Sequence, residues 1–293
     1  MKYPRKFMQR AVGFLFLLAV NATATTYYVD VNSTNPVAPY TNWCTASTDI
    51  QSAVNVATNG DLILVNDGVY QIGGETVNGF GLTNRVAITL PVTVQSVNGP
   101  ATTIIEGYQD TNSTVADDAI RCVYLANNAV LSGFTLTNGA TRACGDETNE
   151  QSGGGAFCDS TNDILTNCVI AVCAANNDGG GVYAGTLVNC MLLNNVSFNN
   201  GGGAAQDVLI GCMINGNAAN VQGGGVISGA LFNCMLTNNY AASDYPDFYG
   251  GGGGAEGSTL CQCTVTGNSA GNYGGGVDSC ILNQCINRQR GRR

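Results

Sequence analysis

The sequence contains no histidine, and its only two lysines, Lys2 and Lys6, lie at the N-terminal end. Between Arg142 and Arg288 there is no arginine either, so this long stretch has no basic side chain at all. Charged residues make up only 11% of the 293 residues. The residues between Arg142 and Arg288 therefore offer no cationic group that could act as a base or neutralise an anionic substrate.

The sequence also lacks an apolar run long enough to span a membrane. The apolar stretch Ala11–Val20 has ten residues, whereas a transmembrane helix needs about 20. Basic residues precede this stretch, and the small-x-small pattern of Ala22–Ala24 follows it, as in an export signal. We predict a signal peptide over residues 1–24 and a secreted or cell-surface protein that begins near Thr25. The alternative is an N-terminal membrane anchor.

After removal of that segment, twenty acidic residues remain against seven arginines, a net charge of −13. Such a surface repels nucleic acids and anionic membranes. We therefore expect no nucleic-acid partner.

Glycine triplets repeat along the chain and divide its later half into six units. They begin at Gly153, Gly179, Gly201, Gly223, Gly252 and Gly274, at steps of 26, 22, 22, 29 and 22 residues. A cysteine follows the last glycine of each triplet by nine residues, or by thirteen in the first unit: Cys168, Cys190, Cys212, Cys234, Cys263 and Cys285. Leucine lies three residues before each of these cysteines, and asparagine five residues after four of them. Fixed spacing of this kind indicates a repeat architecture.

The pattern within a unit is that of β-strands. In Val188–Leu192 apolar and polar residues alternate, which predicts that Val188, Cys190 and Leu192 share the inward face. Glycine triplets and a period of two both oppose helices. We therefore predict an all-β, single-stranded right-handed parallel β-helix of about nine coils, in which each coil pairs with the next.

The repeated cysteines and asparagines have structural interpretations. Inward thiols in a column pack as small buried apolar groups, and a straight column lacks the tetrahedral geometry of a metal site, so we predict no metal. The repeated asparagines are expected to bond to one another from coil to coil. Cys144 and Cys158 lie outside the column and are the most credible disulfide pair.

Three further regions complete the predicted organisation. Residues 25–59 are expected to form an N-terminal cap with a strand and a short helix, for which Thr48 or Asp49 is the N-cap. Residues 60–287 form the β-helix, with the 22-residue repeat from about residue 130. Residues 288–293 form a basic tail that we expect to be unstructured.

The segments Asp49–Ala53, Gly60–Val65 and Asp67–Tyr70 resemble the N-terminal region of pectin-lyase-like parallel β-helix proteins. The later units resemble the Gly-Gly repeats of polymorphic outer-membrane proteins and autotransporter-like adhesins, as in Gly179–Val182 followed by Leu192–Asn195. The first resemblance implies the fold and, for some members, polysaccharide cleavage. The second implies an adhesin-like role and relatives that continue into more coils and a surface anchor. Membrane association would then need an anchor beyond this sequence, and we hypothesise a fragment or a disrupted reading frame.

Few residues offer catalytic chemistry. Asp117 and Asp118 near Arg121 are the best catalytic candidates, although adjacent residues on a strand point to opposite faces. Asp146, Glu147 and Glu150 near Arg142 could bind calcium, but they lack the spacing of known calcium loops. Solvated loops are the alternative in both cases, and we predict no cofactor.

The insertion between Asn239 and Gly252 carries aromatic and acidic residues suited to stacking on sugars and bonding their hydroxyls. These candidate binding residues are Tyr240, Asp244, Tyr245, Asp247, Phe248 and Tyr249. The alternative is a self-packed loop. We therefore expect a non-catalytic, adhesin-like or carbohydrate-binding scaffold, with an extracellular polysaccharide as partner. A polysaccharide lyase or glycoside hydrolase is the second hypothesis.

Overall fold

The structure is a computed structural model that describes residues 24–242 and 251–288. The predicted signal peptide up to residue 23 and the tail from residue 289 lie outside these ranges. The described residues form 33 short strands, one α-helix, Ile50–Val56, and one 3-10 helix, Trp43–Thr45. Strands from successive coils pair in parallel, as at Ile164–Thr166 with Thr186–Val188, which makes the fold a parallel β-helix.

Two sheets run the length of the solenoid. The first sheet has ten strands: Thr26–Val29, Leu62–Val65, Thr93–Ser96, Val130–Ser132, Ile164–Thr166, Thr186–Val188, Val208–Ile210, Ala230–Phe232, Thr259–Cys261 and Ile281–Asn283. The second sheet has nine: Gly68–Tyr70, Thr103–Glu106, Thr135–Thr137, Val169–Ala171, Met191–Leu193, Met213–Asn215, Met235–Thr237, Thr264–Thr266 and Ile286–Arg288. Each first-sheet strand from Leu62–Val65 onward begins one of nine coils, the number that the sequence predicts.

The other two sheets complete each later coil. The third sheet has five strands: Ala174–Ala175, Val196–Ser197, Ala218–Ala219, Tyr240–Ala241 and Ser269–Ala270. The fourth has nine: Glu75–Thr76, Thr83–Ile88, Ile120–Leu125, Ala156–Cys158, Val182–Tyr183, Ala204–Ala205, Val226–Ile227, Ala255–Glu256 and Val277–Asp278. The glycine triplets lie in the turns between the third and fourth sheets.

The N-terminal helix covers the interior of the first coils. Its N-cap is Asp49, whose side chain accepts a hydrogen bond from Ser52 N–H. Ile50 and Val54 are buried against the first strands. The strand Thr26–Val29, expected within a separate cap, pairs in parallel with Leu62–Val65. The β-helical pairing therefore begins before residue 60.

One prediction about side-chain direction is wrong. Leu187, Cys190 and Leu192 are buried, whereas Val188 is half-buried and its counterparts Ile210 and Phe232 are 39% and 41% exposed. The reason is Asn189, which has a φ of 53° and separates two three-residue strands. A left-handed residue between the strands breaks the alternation, so the residue before the turn points outward.

The asparagine column is a continuous buried ladder. Asn195 Nδ2 donates to Asn217 Oδ1 at 3.0 Å, Asn217 Nδ2 to Asn239 Oδ1 at 3.0 Å, and Asn239 Nδ2 to Asn268 Oδ1 at 2.9 Å. Each backbone N–H in the column donates to the next amide oxygen as well, as Asn195 N–H does at 2.9 Å. This confirms bonding between like side chains on successive coils.

The glycine triplets fit against this ladder. A Cβ on Gly181 would lie 2.5 Å from the carbonyl oxygen of Gly203 and 3.0 Å from Asn195 Nδ2. The first glycine of the triplet, Gly179, has a φ of 67°. Close approach between coils and a left-handed turn therefore both require glycine here.

The cysteine column is buried as predicted. Cys168, Cys190 and Cys212 are at most 2% exposed, and all thirteen thiols are free. The predicted disulfide is wrong: Cys144 is exposed, while Cys158 lies fully buried in the core. Burial raises the pKa of the Cys158 thiol well above its ordinary value, which keeps it protonated and inert.

The last described coil exposes apolar side chains that earlier coils bury or shield. Ile281 is 63% exposed and Leu282, which continues the buried leucine column, is 41% exposed. No helix among the described residues is long and apolar enough to cross a bilayer.

The carboxyl group of Asp207 is buried without a full set of partners. Asp207 is 1% exposed, and its Oδ1 accepts from Gly185 N–H at 2.6 Å. Its Oδ2 is buried and has no partner in the described structure. Burial raises the pKa of Asp207 to about 8, so the group is protonated at neutral pH.

We predict that Asp207 makes stability depend on pH. The folded protein keeps this proton up to about pH 8, whereas the unfolded chain releases it near pH 3.9. The free energy of unfolding should therefore fall as pH rises between these values, by on the order of 5 kcal/mol from this group. Urea unfolding of wild type and Asp207→Asn from pH 4 to 9 should show a flatter profile for the variant. Asp118→Asn, at an exposed site, serves as control, and parallel profiles for wild type and Asp207→Asn would contradict the assignment.

Candidate functional site

Arg121, a catalytic candidate, is a structural residue by its contacts. It is 1% exposed, and its guanidinium lies 4.9 Å from the centre of the Phe157 ring. Nε donates to Gly153 O at 2.9 Å, and Nη2 donates to Asn149 O at 2.7 Å. Nη1 donates to Asn84 Oδ1 at 2.9 Å. The side chain thus joins three segments from within the protein and does not face solvent.

The two aspartates do not join Arg121. Asp117 and Asp118 are exposed, and Asp117 forms its ion pair with Arg142, at 3.3 Å. Cys144 Sγ also donates to Asp117 Oδ1, at 3.0 Å, and this bond raises the pKa of the Cys144 thiol. The structure therefore separates the three predicted catalytic residues: Arg121 is buried, Asp117 pairs with Arg142 at the surface, and Asp118 is exposed.

The acidic loop organises itself around Glu150. Glu150 Oε1 accepts from Arg142 Nη1 at 2.7 Å and from Gly81 N–H at 2.6 Å, and Oε2 accepts from Asp146 N–H at 2.8 Å. Hydrogen bonding from Asp146 N–H is the main cause that lowers the pKa of Glu150. Among the described residues no group of three or more metal-ligating side chains is arranged to hold a metal ion. Calcium binding stays a hypothesis.

The predicted binding insertion lies largely outside the described residues, because Asp244–Tyr249 falls between residues 242 and 251. Tyr240 is described: it lies in the third sheet and is 43% exposed. The strand Tyr240–Ala241 directly precedes the insertion. It pairs with Ala218–Ala219 and occupies the same position on its coil, where Ala218–Ala219 precedes a turn.

A groove of about 760 Å3 lies on the surface of the described structure. Its floor is formed by the turns that follow the third-sheet strands. Its lining residues are Ser113, Val115, Ala143, Glu147, Gln151, Asn176, Asn177, Phe198, Asn199, Asn220 and Val221. We call this surface the amide groove. A smaller concavity of about 380 Å3 lies beside the N-terminal helix and has no aromatic residue in its lining.

The repeat aligns the floor of the amide groove along the solenoid. Asn176, Phe198 and Asn220 occupy one position on three successive coils, because they are 22 residues apart. Asn177 and Asn199 occupy the next position, two residues before a glycine triplet. The third-sheet strands that carry these turns pair in parallel, so the floor follows the axis of the β-helix.

Hydrogen bonds hold the floor amides in place. Asn199 Nδ2 donates to Asn177 Oδ1 at 2.8 Å and to Asp178 Oδ1 at 3.2 Å. Asn177 Nδ2 donates to Glu147 O at 3.1 Å, and Asn176 Nδ2 donates to Gln151 Oε1 at 2.5 Å. The floor is therefore tied both along the axis and to the acidic loop, which forms the wall at one end.

The groove is acidic and partly apolar. Glu147 in the wall is exposed, and Asp178 lies half-buried behind the floor. Burial raises the pKa of Asp178, opposed by hydrogen bonds from Asn200. Phe198 is 37% exposed and offers a ring face on the middle coil. No basic residue is among the lining residues of the described structure.

This arrangement suits binding better than bond cleavage. Amide groups and an exposed aromatic ring can bond and stack on a polyhydroxylated ligand. Cleavage by paired acids would need two carboxyl groups facing one bond, and among the described residues Glu147 is the only carboxyl residue in the lining. These residues are not among the candidates predicted from the sequence, although their fixed offset from the glycine triplets is a signal that could have found them.

Comparison with known proteins adds information on the fold. No family model matches the sequence, and no curated protein matches it. Among solved structures, the pectate lyase Pel9A is similar at 13% sequence identity, over 84% of this chain and 64% of that chain, with a TM-score of 0.51. The fold is that of the right-handed parallel β-helix proteins.

This right-handed parallel β-helix confirms the predicted fold class. The chain spans a little under two thirds of the length of Pel9A, at 64%. A rice weevil pectin methyl esterase is also found, at 13% identity, over 87% of this chain and 89% of that chain, with a TM-score of 0.41. The resemblance to outer-membrane protein repeats stays a prediction.

We predict that Glu150 keeps the wall of the amide groove in place. Replacing Glu150 by alanine removes the acceptor of three hydrogen bonds, including that of Gly81 N–H. Backbone amide exchange over residues 143–151 should then become roughly 10- to 100-fold faster, since each lost bond to a charged group costs about 1.5–3 kcal/mol. Hydrogen exchange with mass spectrometry measures this. The matched control is Glu147→Ala in the same loop, which should exchange like wild type; equal protection in all three proteins would contradict the role of Glu150.

Proposed function

We propose that this protein is a secreted or cell-surface scaffold that binds an extracellular polysaccharide in the amide groove and does not cleave it. The observation that carries the proposal is the groove floor, where amides and Phe198 repeat along the axis with no basic residue in the lining. Extended polymers match such a floor because their own groups repeat along a line. The predicted export signal supports a place outside the cell.

The amide groove supplies the two kinds of contact that sugars need. The ring of Phe198 can stack on the apolar face of a sugar, and the side chains of Asn176, Asn199 and Asn220 can bond its hydroxyl groups. The floor is fixed by hydrogen bonds between coils, so little conformational entropy is lost when a ligand binds. An adhesin-like role, with attachment through an anchor beyond this sequence, extends the same proposal.

The second candidate is a polysaccharide lyase or glycoside hydrolase. The likeness to a pectate lyase favours it through the fold alone, and function on shared folds depends on the site. The position of Arg121 weighs against it, because its guanidinium is bound to carbonyl groups inside the protein. The insertion Asp244–Tyr249 remains a candidate binding element, since its flanking strand lies in the third sheet.

We predict that Phe198→Ala lowers polysaccharide affinity about tenfold, because stacking on an aromatic ring contributes roughly 0.5–1.5 kcal/mol beyond buried area. Affinity electrophoresis in gels that contain pectin, alginate, xylan, mannan or cellulose derivatives measures the change. Phe232→Ala is the matched control. Phe232 is 41% exposed, close to the 37% of Phe198, but it lies outside the groove.

Two outcomes would overturn the proposal. One is equal retention of wild type and Phe198→Ala in every gel that retards the wild type. The other is release of new reducing ends or unsaturated uronate from these polymers by the wild type, which would favour the enzyme.

A further inference from the structure

The hydrogen bonds of the amide groove leave it rich in acceptors and poor in donors. The Nδ2 groups of Asn176, Asn177 and Asn199 all donate to protein oxygens. Gln151 Nε2 likewise donates to Gly145 O at 2.9 Å. What Asn176 and Asn199 still offer to a ligand is oxygen, because both hydrogens of each Nδ2 are donated within the protein and neither Oδ1 accepts a hydrogen bond within the described structure.

The charges in and behind the groove also favour a ligand that donates hydrogen bonds and carries no negative charge. Glu147 lines the groove, and Asp178 lies directly behind Asn199, whose amide bonds it at 3.2 Å. Arg142 is the nearest cation on the wall loop, and Glu150 and Asp117 already pair with it. An anionic ligand would meet carboxylates without a free cation, whereas hydroxyl groups can donate to every available acceptor.

The floor also has a direction and a length. Asn176, Phe198 and Asn220 lie on three successive coils, and coils of a parallel β-helix are about 4.8 Å apart. The wall formed by the acidic loop contacts the coil of Asn176 through Gln151. The open floor therefore extends from that wall along the axis over about three coils.

We infer, on the basis of the proposed function, that the amide groove selects an uncharged, linear polysaccharide that lies along the β-helix axis with about one sugar per coil. Polyuronates are rejected at the same site. The selection arises from hydrogen-bond acceptors and carboxylates, so it is a property of this groove and not of the fold.

The first test compares one polymer backbone in two charge states. Polygalacturonan and its fully methyl-esterified form differ only in the carboxyl groups, and neutral xylan and mannan extend the panel. Wild type should be retarded in affinity gels by at least one neutral polymer, at least tenfold more strongly than by polygalacturonan at low salt. Glu147→Lys should reduce the preference for the neutral polymer over polygalacturonan. Glu75→Lys, at an exposed site outside the groove, should leave this preference unchanged.

The second test measures length dependence with oligosaccharides of the neutral polymer that binds best. In isothermal titration calorimetry, affinity should rise from one to about three sugars and then level off. Asn220→Ala should reduce the gain from the third sugar.

The outcomes separate the two levels of the proposal. If no polymer of the panel binds, neutral or acidic, the proposed function fails. If a polymer binds but polygalacturonan is preferred, or if affinity does not depend on length, polysaccharide binding stands and the inference of an axial, uncharged ligand is wrong.

Discussion

The fold depends on hydrogen bonding between one coil and the next. A single coil of 22 residues buries too few apolar side chains to offset the loss of backbone entropy, about 1–2 kcal/mol for each ordered residue. Stacking supplies what is missing, through parallel strand pairs, the buried leucine and cysteine columns, and the asparagine ladder. The ladder depends most strictly on the register of the coils, because every buried amide in it needs the amides of the adjacent coils as hydrogen-bond partners.

The same register creates the floor of the amide groove. Because Asn195, Asn217 and Asn239 fix the coils in line, any residue at a given offset from the ladder forms a column on the outside. The column of Asn176, Phe198 and Asn220 becomes a groove floor only because the loop that contains Glu150 folds against one end of it. The repeat therefore sets the axis along which the groove floor runs, and the loop that contains Glu150 forms the boundary at one end.

The sequence predicted the features that repetition specifies. The 22-residue period, the burial of Cys190 and its counterparts and the bonding of Asn195 to Asn217 all follow from spacing and residue type. The direction of Val188 did not follow, because the left-handed turn at Asn189 looks like an ordinary polar strand position in the sequence. The position of the helix, in contrast, could be predicted from Asp49 as a candidate N-cap and from the apolar residues that follow it.

The irregular coils were harder to predict, since their contacts join residues far apart in the chain. Arg121 and Asp117 are four residues apart, yet one is buried against Gly153 and the other pairs with Arg142. Glu150 bonds Gly81 N–H across 69 positions, which no local pattern indicates. The amide groove was missed for the same reason: its floor is repetitive, but its wall depends on these long-range contacts.

Likeness to a pectate lyase and the chemistry of the groove answer different questions. The likeness concerns the course of the backbone, and at 13% sequence identity it shows the fold alone. The chemistry concerns which groups line the groove, and these include amides, the ring of Phe198 and the carboxylate of Glu147.

Double-mutant cycles on the asparagine ladder test most directly whether the coils are held in this register. Asn217→Ala and Asn239→Ala remove adjacent members, whereas Asn195→Ala and Asn268→Ala remove members three coils apart. In urea unfolding, the adjacent pair should show a coupling free energy of about 0.5–3 kcal/mol, and the separated pair should be additive. Additive effects in the adjacent pair would contradict the ladder and the stacked register that depends on it.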